Sequence, residues 1–143
     1  MQLNPAHAGA AGNLGAILND EENTSKAKEI LMRGIKGDPK HVECHINLGM
    51  VLKKDGMLEG AIASFQKAIQ VKPNSLEALS GLAQCLMDVG RVSESLGVYE
   101  SCSRLNPWDP SNCELPALAC DSSEDLRLSK LAVDLYEIGR AHV

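Results

Sequence analysis

Along the centre of the chain, apolar residues recur three and four positions apart, the spacing of one face of an α-helix. Leu48, Gly49 and Leu52 form one such stripe, and Ala61, Ile62, Phe65, Ala68 and Ile69 form the next. Between them stands Asp55-Gly56, and 34 residues later Val89-Gly90 occupies the equivalent place. Both are helix-ending signals. Gly49 and Ala61 are small where two helices must approach closely, and Phe65 supplies bulk beside them. The pattern predicts an all-α chain built of helix pairs.

The pattern also repeats. Pro5, Pro39, Pro73 and Pro107 follow one another at intervals of 34, and the residues before them rhyme: Leu3-Asn4-Pro5, Asp38-Pro39, Lys72-Pro73 and Leu105-Asn106-Pro107. Leu14, Leu48 and Leu82 form one column, Gly15, Gly49 and Ala83 the next, and Leu18, Leu52 and Leu86 a third. Further along come Ala27, Ala61 and Ser95, then Leu31, Phe65 and Tyr99, then Gly34, Ala68 and Cys102. Each proline is expected to close a second helix, since it cannot continue the hydrogen-bond ladder. One helix pair cannot bury its apolar face, whereas three stacked pairs share a continuous core.

A period of 34 with this column order resembles the tetratricopeptide (TPR) repeat, whose unit is a helix–turn–helix. The resemblance covers Ala8 to Asp109 and implies a right-handed solenoid of antiparallel helix pairs, with units at 8–41, 42–75 and 76–109. Departures are modest: Ala11, His45 and Leu79 stand where the family often has a bulky aromatic, and Cys102 replaces the usual alanine.

The flanks differ. Residues 1–7 read as the end of a truncated earlier repeat, because Leu3-Asn4-Pro5 duplicates Leu105-Asn106-Pro107. After Asp109 the register fails, since Pro116 would fall inside the first helix of a fourth unit. Residues 110–137 are expected to be an irregular segment followed by a capping helix. There Asp121-Ser122-Ser123 offers N-cap oxygens, and Leu128, Leu131, Ala132 and Leu135 keep helical spacing. Residues 138–143, Ile138-Gly139-Arg140-Ala141-His142-Val143, resemble the translation of a common sequencing adapter. The other reading is a natural helix C-terminus capped by Gly139.

Composition narrows the function. Of 143 residues 44% are hydrophobic and 23% charged, the profile of a globular protein. Aromatics are only 3% and the net charge is −5, which disfavours both base-stacking platforms and non-specific attraction to phosphate. Five cysteines without framework spacing argue against a disulfide-stapled secreted domain. Met1 to Asn19 holds no Lys or Arg, so the positive region of a signal peptide is missing, and no stretch is apolar enough to span a bilayer. The expected setting is cytoplasmic or nucleocytoplasmic, with a protein or peptide partner rather than nucleic acid or membrane. The oligomeric state stays open.

No catalytic constellation emerges, and neither a cofactor nor a metal is expected. His41 and His45 lie four apart and could share a helix face, but His45 stands in the column of apolar Leu79, which favours packing. Cys102 falls in a small column where cysteine acts as a compact hydrophobe. Cys113 and Cys120 lie in the poorly patterned tail with nothing nearby to activate them. Gly12-Asn13-Leu14-Gly15 lacks the Lys-Ser/Thr of a phosphate loop.

The informative surface is the concave face that TPR arrays form from the first helix of each unit. Asn13 and Asn47 stand there at matching places. The pair resembles the amide ladder in the TPR region of O-linked N-acetylglucosamine transferases, where side-chain amides grip the backbone of an extended peptide. An amide both donates and accepts, as a peptide group does. Gly81 breaks the ladder in the third unit, with Gln84 one turn on as a substitute. The same asparagines also read as two solvated helix positions. Further groove candidates are Glu43, Met50, Lys54, Glu77 and Asp88, a mildly acidic set that suits neutral or basic ligands. The TPR class that clamps a C-terminal carboxylate needs cations where this chain has Gly12, Glu77 and Gly81. The expectation is a protein-interaction module binding a peptide in its groove. The alternative is the substrate-recruiting arm of a larger enzyme such as a glycosyltransferase.

Overall fold

The computed structural model describes residues 5–20 and 23–106, and six helices lie within them. They are α1 (Pro5–Asp20), α2 (Thr24–Gly37), α3 (Val42–Lys54), α4 (Leu58–Val71), α5 (Leu76–Asp88) and α6 (Val92–Leu105). The interval of 34 returns in the helix starts, from Thr24 to Leu58 to Val92 and from Val42 to Leu76.

Local chemistry sets these boundaries. The His41 ring accepts from the Cys44 N–H at the start of α3, and Ser75 accepts from the Ala78 N–H at the start of α5, each satisfying an orphan amide of the first turn. At the other end Gly56 and Gly90 adopt φ of 76° and 82°, a left-handed conformation that costs glycine little. The chain then folds back on itself. Met57 N–H donates to Leu52 O at 2.8 Å and Gly56 N–H to Lys53 O at 3.0 Å, the paired bonds of a Schellman cap, and Arg91 and Gly90 repeat them on Leu86 and Met87. The second helices end differently. Asp38 and Lys72 are extended, as residues before proline must be, so α2 and α4 stop ahead of Pro39 and Pro73.

One boundary departs from the expectation. α1 begins at Pro5, three residues ahead of the unit boundary expected at Ala8, so residues 5–7 form its first turn. Proline is well suited to the first helical position, where its missing N–H would have no partner. The alanine-rich run behind it then propagates the helix. Leu3-Asn4, Pro107, Cys113 and Cys120, the capping helix within 110–137 and the stretch 138–143 lie outside the described residues.

The helices pack as α1 with α2, α3 with α4 and α5 with α6, and successive pairs join through α2 against α3 and α4 against α5. The first helices also touch one another, α1 on α3 and α3 on α5. The stack therefore curves toward them, leaving α2, α4 and α6 on the outside. Phe65 is the pivot of the core. A Cβ at Gly49 would lie 2.8 Å from its ring and one at Gly81 2.5 Å, so α3 and α5 close on the two sides of the ring only because both residues lack one. Ile46, Ala61, Ile62, Leu82 and Leu86 complete this cluster, and Ala27, Leu31, Cys44 and Val51 form its counterpart between the first two pairs. Ser95 carries a hydroxyl into a fully buried column and donates it to Ala83 O at 2.7 Å, which removes the penalty of burying it.

Candidate functional site

Helical spacing of four, three and four puts Glu43, Asn47, Met50 and Lys54 on one stripe of α3. The equivalent stripe of α5 holds Glu77, Gly81, Gln84 and Asp88, and that of α1 holds Gly9, Asn13, Ala16 and Asp20. Because α1, α3 and α5 are neighbours, the three stripes run side by side on one face. Asn13, Glu43, Met50, Lys54, Glu77 and Asp88 are exposed there, whereas Asn47 and Gln84 are half-buried.

Several of these side chains hold the helices to each other. Asn47 donates its amide to Gly12 O at 3.0 Å, and Lys54 donates to Asn19 O at 2.8 Å, both from α3 to α1. Lys54 thereby sets a cation against the C-terminal carbonyls of α1, where the helix dipole favours positive charge. On the other side Lys53 donates to Gln84 Oε1, tying α3 to α5. The two asparagines are consequently not equivalent. Asn13 presents an exposed amide, while half-buried Asn47 commits one of its two amide N–H groups to a backbone carbonyl. Gly81 has a packing reason of its own, since the Phe65 ring fills the space a side chain would need.

Three residues outside the candidate set, Lys53, Met87 and Tyr99, border this face. Lys53, Gln84, Met87, Asp88 and Tyr99 line a recess of ≈ 290 Å³ between α3, α5 and α6. Tyr99 is 2% exposed, and its hydroxyl has no hydrogen-bond partner among the described residues. A buried hydroxyl left unsatisfied costs about 1–3 kcal/mol. Burial pushes the phenol up to about 12, with Cys102 and Asp88 adding to the effect, so the hydroxyl keeps its proton at neutral pH. The available signal was Tyr99 itself, a hydroxyl added to a column otherwise held by Leu31 and Phe65.

His41, His45 and the buried thiols serve the fold. His45 is 7% exposed and its Nε2–H donates to Pro39 O at 2.8 Å, while His41 caps α3. Cys44 donates its thiol to Ala8 O at 3.2 Å. Burial pushes that thiol up to about 11, helped by Glu43 and Asp38, and burial raises Cys85 as well. Raised thiols are poor nucleophiles and poor metal ligands, because both tasks need the thiolate. Among the described residues, no three His, Cys, Asp or Glu side chains gather in a way that could hold a metal ion, and no helix is long and apolar enough to cross a membrane.

Residues 52–110 match the family model described as tetratricopeptide repeat. Superkiller protein 3 of Saccharomyces cerevisiae is 33% identical over 81 residues, 57% of this chain and 6% of that protein. Protein CTR9 homolog of Arabidopsis thaliana is 28% identical over 101 residues, 68% of this chain and 9% of that protein. The chain thus spans less than a tenth of the length of either relative. Among solved structures, MamA superposes with a TM-score of 0.84 at 19% identity, covering 97% of this chain and 80% of that one. The first TPR of Spaghetti (RPAP3), bound to an HSP90 peptide, gives 0.72 at 13% identity, covering 99% and 97%. The repeat length, the helix pairing and these likenesses together make the fold that of a tetratricopeptide-repeat solenoid.

Proposed function

We propose that the chain is a protein-interaction module that captures an extended segment of a partner along the stripes of α1, α3 and α5. The observation that carries this reading is the juxtaposition of the three stripes, which leaves Asn13, Glu43, Met50, Glu77 and Asp88 exposed on one continuous face. Their chemistry is mixed, as a surface for a polar backbone with varied side chains requires. Asp20, Glu43, Glu77 and Asp88 outnumber Lys53 and Lys54, so the preferred segment is neutral or basic. The Spaghetti structure, with its HSP90 peptide, supports peptide capture as a use of this fold. A clamp for a terminal carboxylate is disfavoured here, because Gly12, Glu77 and Gly81 supply no cations. The reading assigns no catalysis: Cys44, Cys85 and Cys102 are buried, His45 bonds the Pro39 carbonyl and His41 caps α3. A substrate-recruiting arm of a larger enzyme draws on the asparagine pair, of which Asn47 commits one amide N–H to Gly12 O.

The test is selection of a displayed random 12-residue peptide library on the immobilised full chain. Neutral and basic peptides are expected to be enriched over a blank surface. Reversing two exposed charges together, Glu43→Lys and Glu77→Lys, is expected to turn the selection toward acidic peptides. Recovery of no more peptide than the blank surface, or an unchanged selection after the reversal, overturns the reading.

A further inference from the structure

We propose that the groove between the outer helices α2 and α4 docks an acidic segment of a partner protein, which lowers one aliphatic or aromatic side chain between its carboxylates. The groove lies on the outer side of the stack, away from the stripes of α1, α3 and α5, and the proposal stands independently of peptide capture there. It measures ≈ 350 Å³. That is ample for a side chain, given that a water molecule's share of liquid volume is about 30 Å³.

Its floor is apolar. Leu48 of α3 lies at the bottom, Ile35 and Met32 of α2 stand on one side and Ala63 of α4 on the other. The two neutral polar residues that line it are engaged within the fold. His45 bonds Pro39 O through Nε2 at 2.8 Å, and the Ser64 hydroxyl donates to Gly60 O at 3.1 Å. Met32 is 61% exposed, an unbranched apolar side chain at the mouth that adapts to the shape of what it meets.

The fold does not require this opening. One repeat later Gln66, Gln70 and Ser101 stand for Met32, Lys36 and Lys67, and Val98 stands for Ser64. Val98 packs against the cluster around Phe65. Leu82 is accordingly 6% exposed, whereas Leu48 in the same column is only half-buried. The same architecture thus closes and discharges the equivalent place, and the open, charged version belongs to the first groove.

Charge names the occupant. Lys36 and Lys67 set one exposed cation on each side of the groove, and no carboxylate lines it. Neither lysine forms an ion pair among the described residues, although Lys28, Arg33, Arg91 and Arg104 all do. In a chain of net charge −5, these two ammonium groups beside an apolar floor complement carboxylates that flank an apolar residue. A nucleic acid is a poor match, because two lysines neutralise few phosphates.

The experiment displays seven-residue peptides with Asp or Glu on both sides of one randomised central position, and selects them on the immobilised full chain. The acidic stripes of α1, α3 and α5 repel such peptides, so their capture reads the outer groove alone. The wild type is expected to enrich them over a blank surface and to favour Leu, Ile, Met or Phe over Ser at the centre by about 10-fold, the worth of burying one apolar side chain. Two variants carry the residues of the next repeat and so fit the fold. Lys36→Gln combined with Lys67→Ser is expected to lose most of the capture. Ser64→Val, which fills the groove and leaves the lysines, is expected to lose the apolar preference. No enrichment by the wild type overturns the proposal, as does enrichment without a central preference or a preference that survives both variants. Light scattering that shows a wild-type dimer dispersed by the lysine variant would seat a second copy there and overturns it too. None of these outcomes touches the inner face, whose own selection uses neutral and basic peptides.

Discussion

The helices α1 and α5 carry the same apolar columns and bury them to different extents. Leu14 and Ile17 of α1 are 45% and 54% exposed, while Leu82 and Cys85, one column for one column, are 6% and 0% exposed. Ala10 is exposed and Ala78 fully buried. The cause is a neighbour. α4 lies across α5 and covers these positions, and no described helix lies on the corresponding side of α1. A heptad-like stripe states which face of a helix is apolar. Whether that face becomes core depends on what the rest of the stack sets against it.

The sharpest way to break this comparison is to truncate both leucines. Leu82→Ala is expected to destabilise by about 2–5 kcal/mol through lost burial and a residual cavity. Leu14→Ala, already half in solvent, is expected to stay within about 0.5 kcal/mol. Urea unfolding of the two variants decides, and equal shifts in midpoint would show that α1 is covered as α5 is.

Glycines extend the test to close approach. Gly81→Leu drives a side chain into the Phe65 ring, which Gly49 hems in from the opposite side, and is expected to cost about 1–3 kcal/mol. Gly9→Ala on α1 meets only His41 Nε2, at 3.8 Å, and is expected to gain about 0.5–1 kcal/mol from helix propensity. Thermal melts that move in the same direction for both would contradict the packing of α3 and α5 around Phe65.

The smallest effect concerns the seams between units. Lys28 of α2 meets Asp55 after α3 at 2.5 Å, where the next seam has Ile62 and Val89 in its apolar core. The bonds from Lys28 and then Thr24 hold the Asp55 carboxyl below the usual carboxylate range. A depressed folded-state pKa stabilises above the unfolded value of about 3.9 and is lost as pH falls through the folded value. Lys28→Met is therefore expected to lower the melting temperature slightly at pH 7 and to lose that difference only as the pH falls below the ordinary carboxylate range, once the carboxyl is protonated in both proteins. A difference that persists in acid would mean that the lysine acts by packing.

Much of the fold was legible beforehand. The prolines and the Asp55-Gly56 and Val89-Gly90 pairs announced where helices end, because the backbone geometry at those places admits few residue types. Pro5 was harder to read, because proline suits a helix start as well as a stop, and α1 begins at it. On the candidate face, the grouping of Glu43, Met50 and Lys54 followed from helical spacing alone. The commitments of Asn47 to Gly12, Lys54 to Asn19 and Lys53 to Gln84 did not, since each joins residues 31 to 35 apart in the chain. A polar side chain advertises a donor without naming the acceptor. Gly81 was read as a gap in a ladder and proved to be the far wall of the Phe65 site.

By itself, then, the sequence determined the repeat, the helix pairs within it and the faces those helices turn inward, because all three follow from short-range spacing and backbone sterics. Only the tertiary structure decided which apolar faces are covered, which polar groups are engaged in holding neighbouring helices and where Tyr99 buries a hydroxyl that finds no partner among the described residues. Those outcomes depend on atoms brought together from different repeats, and no local pattern encodes a distance between them.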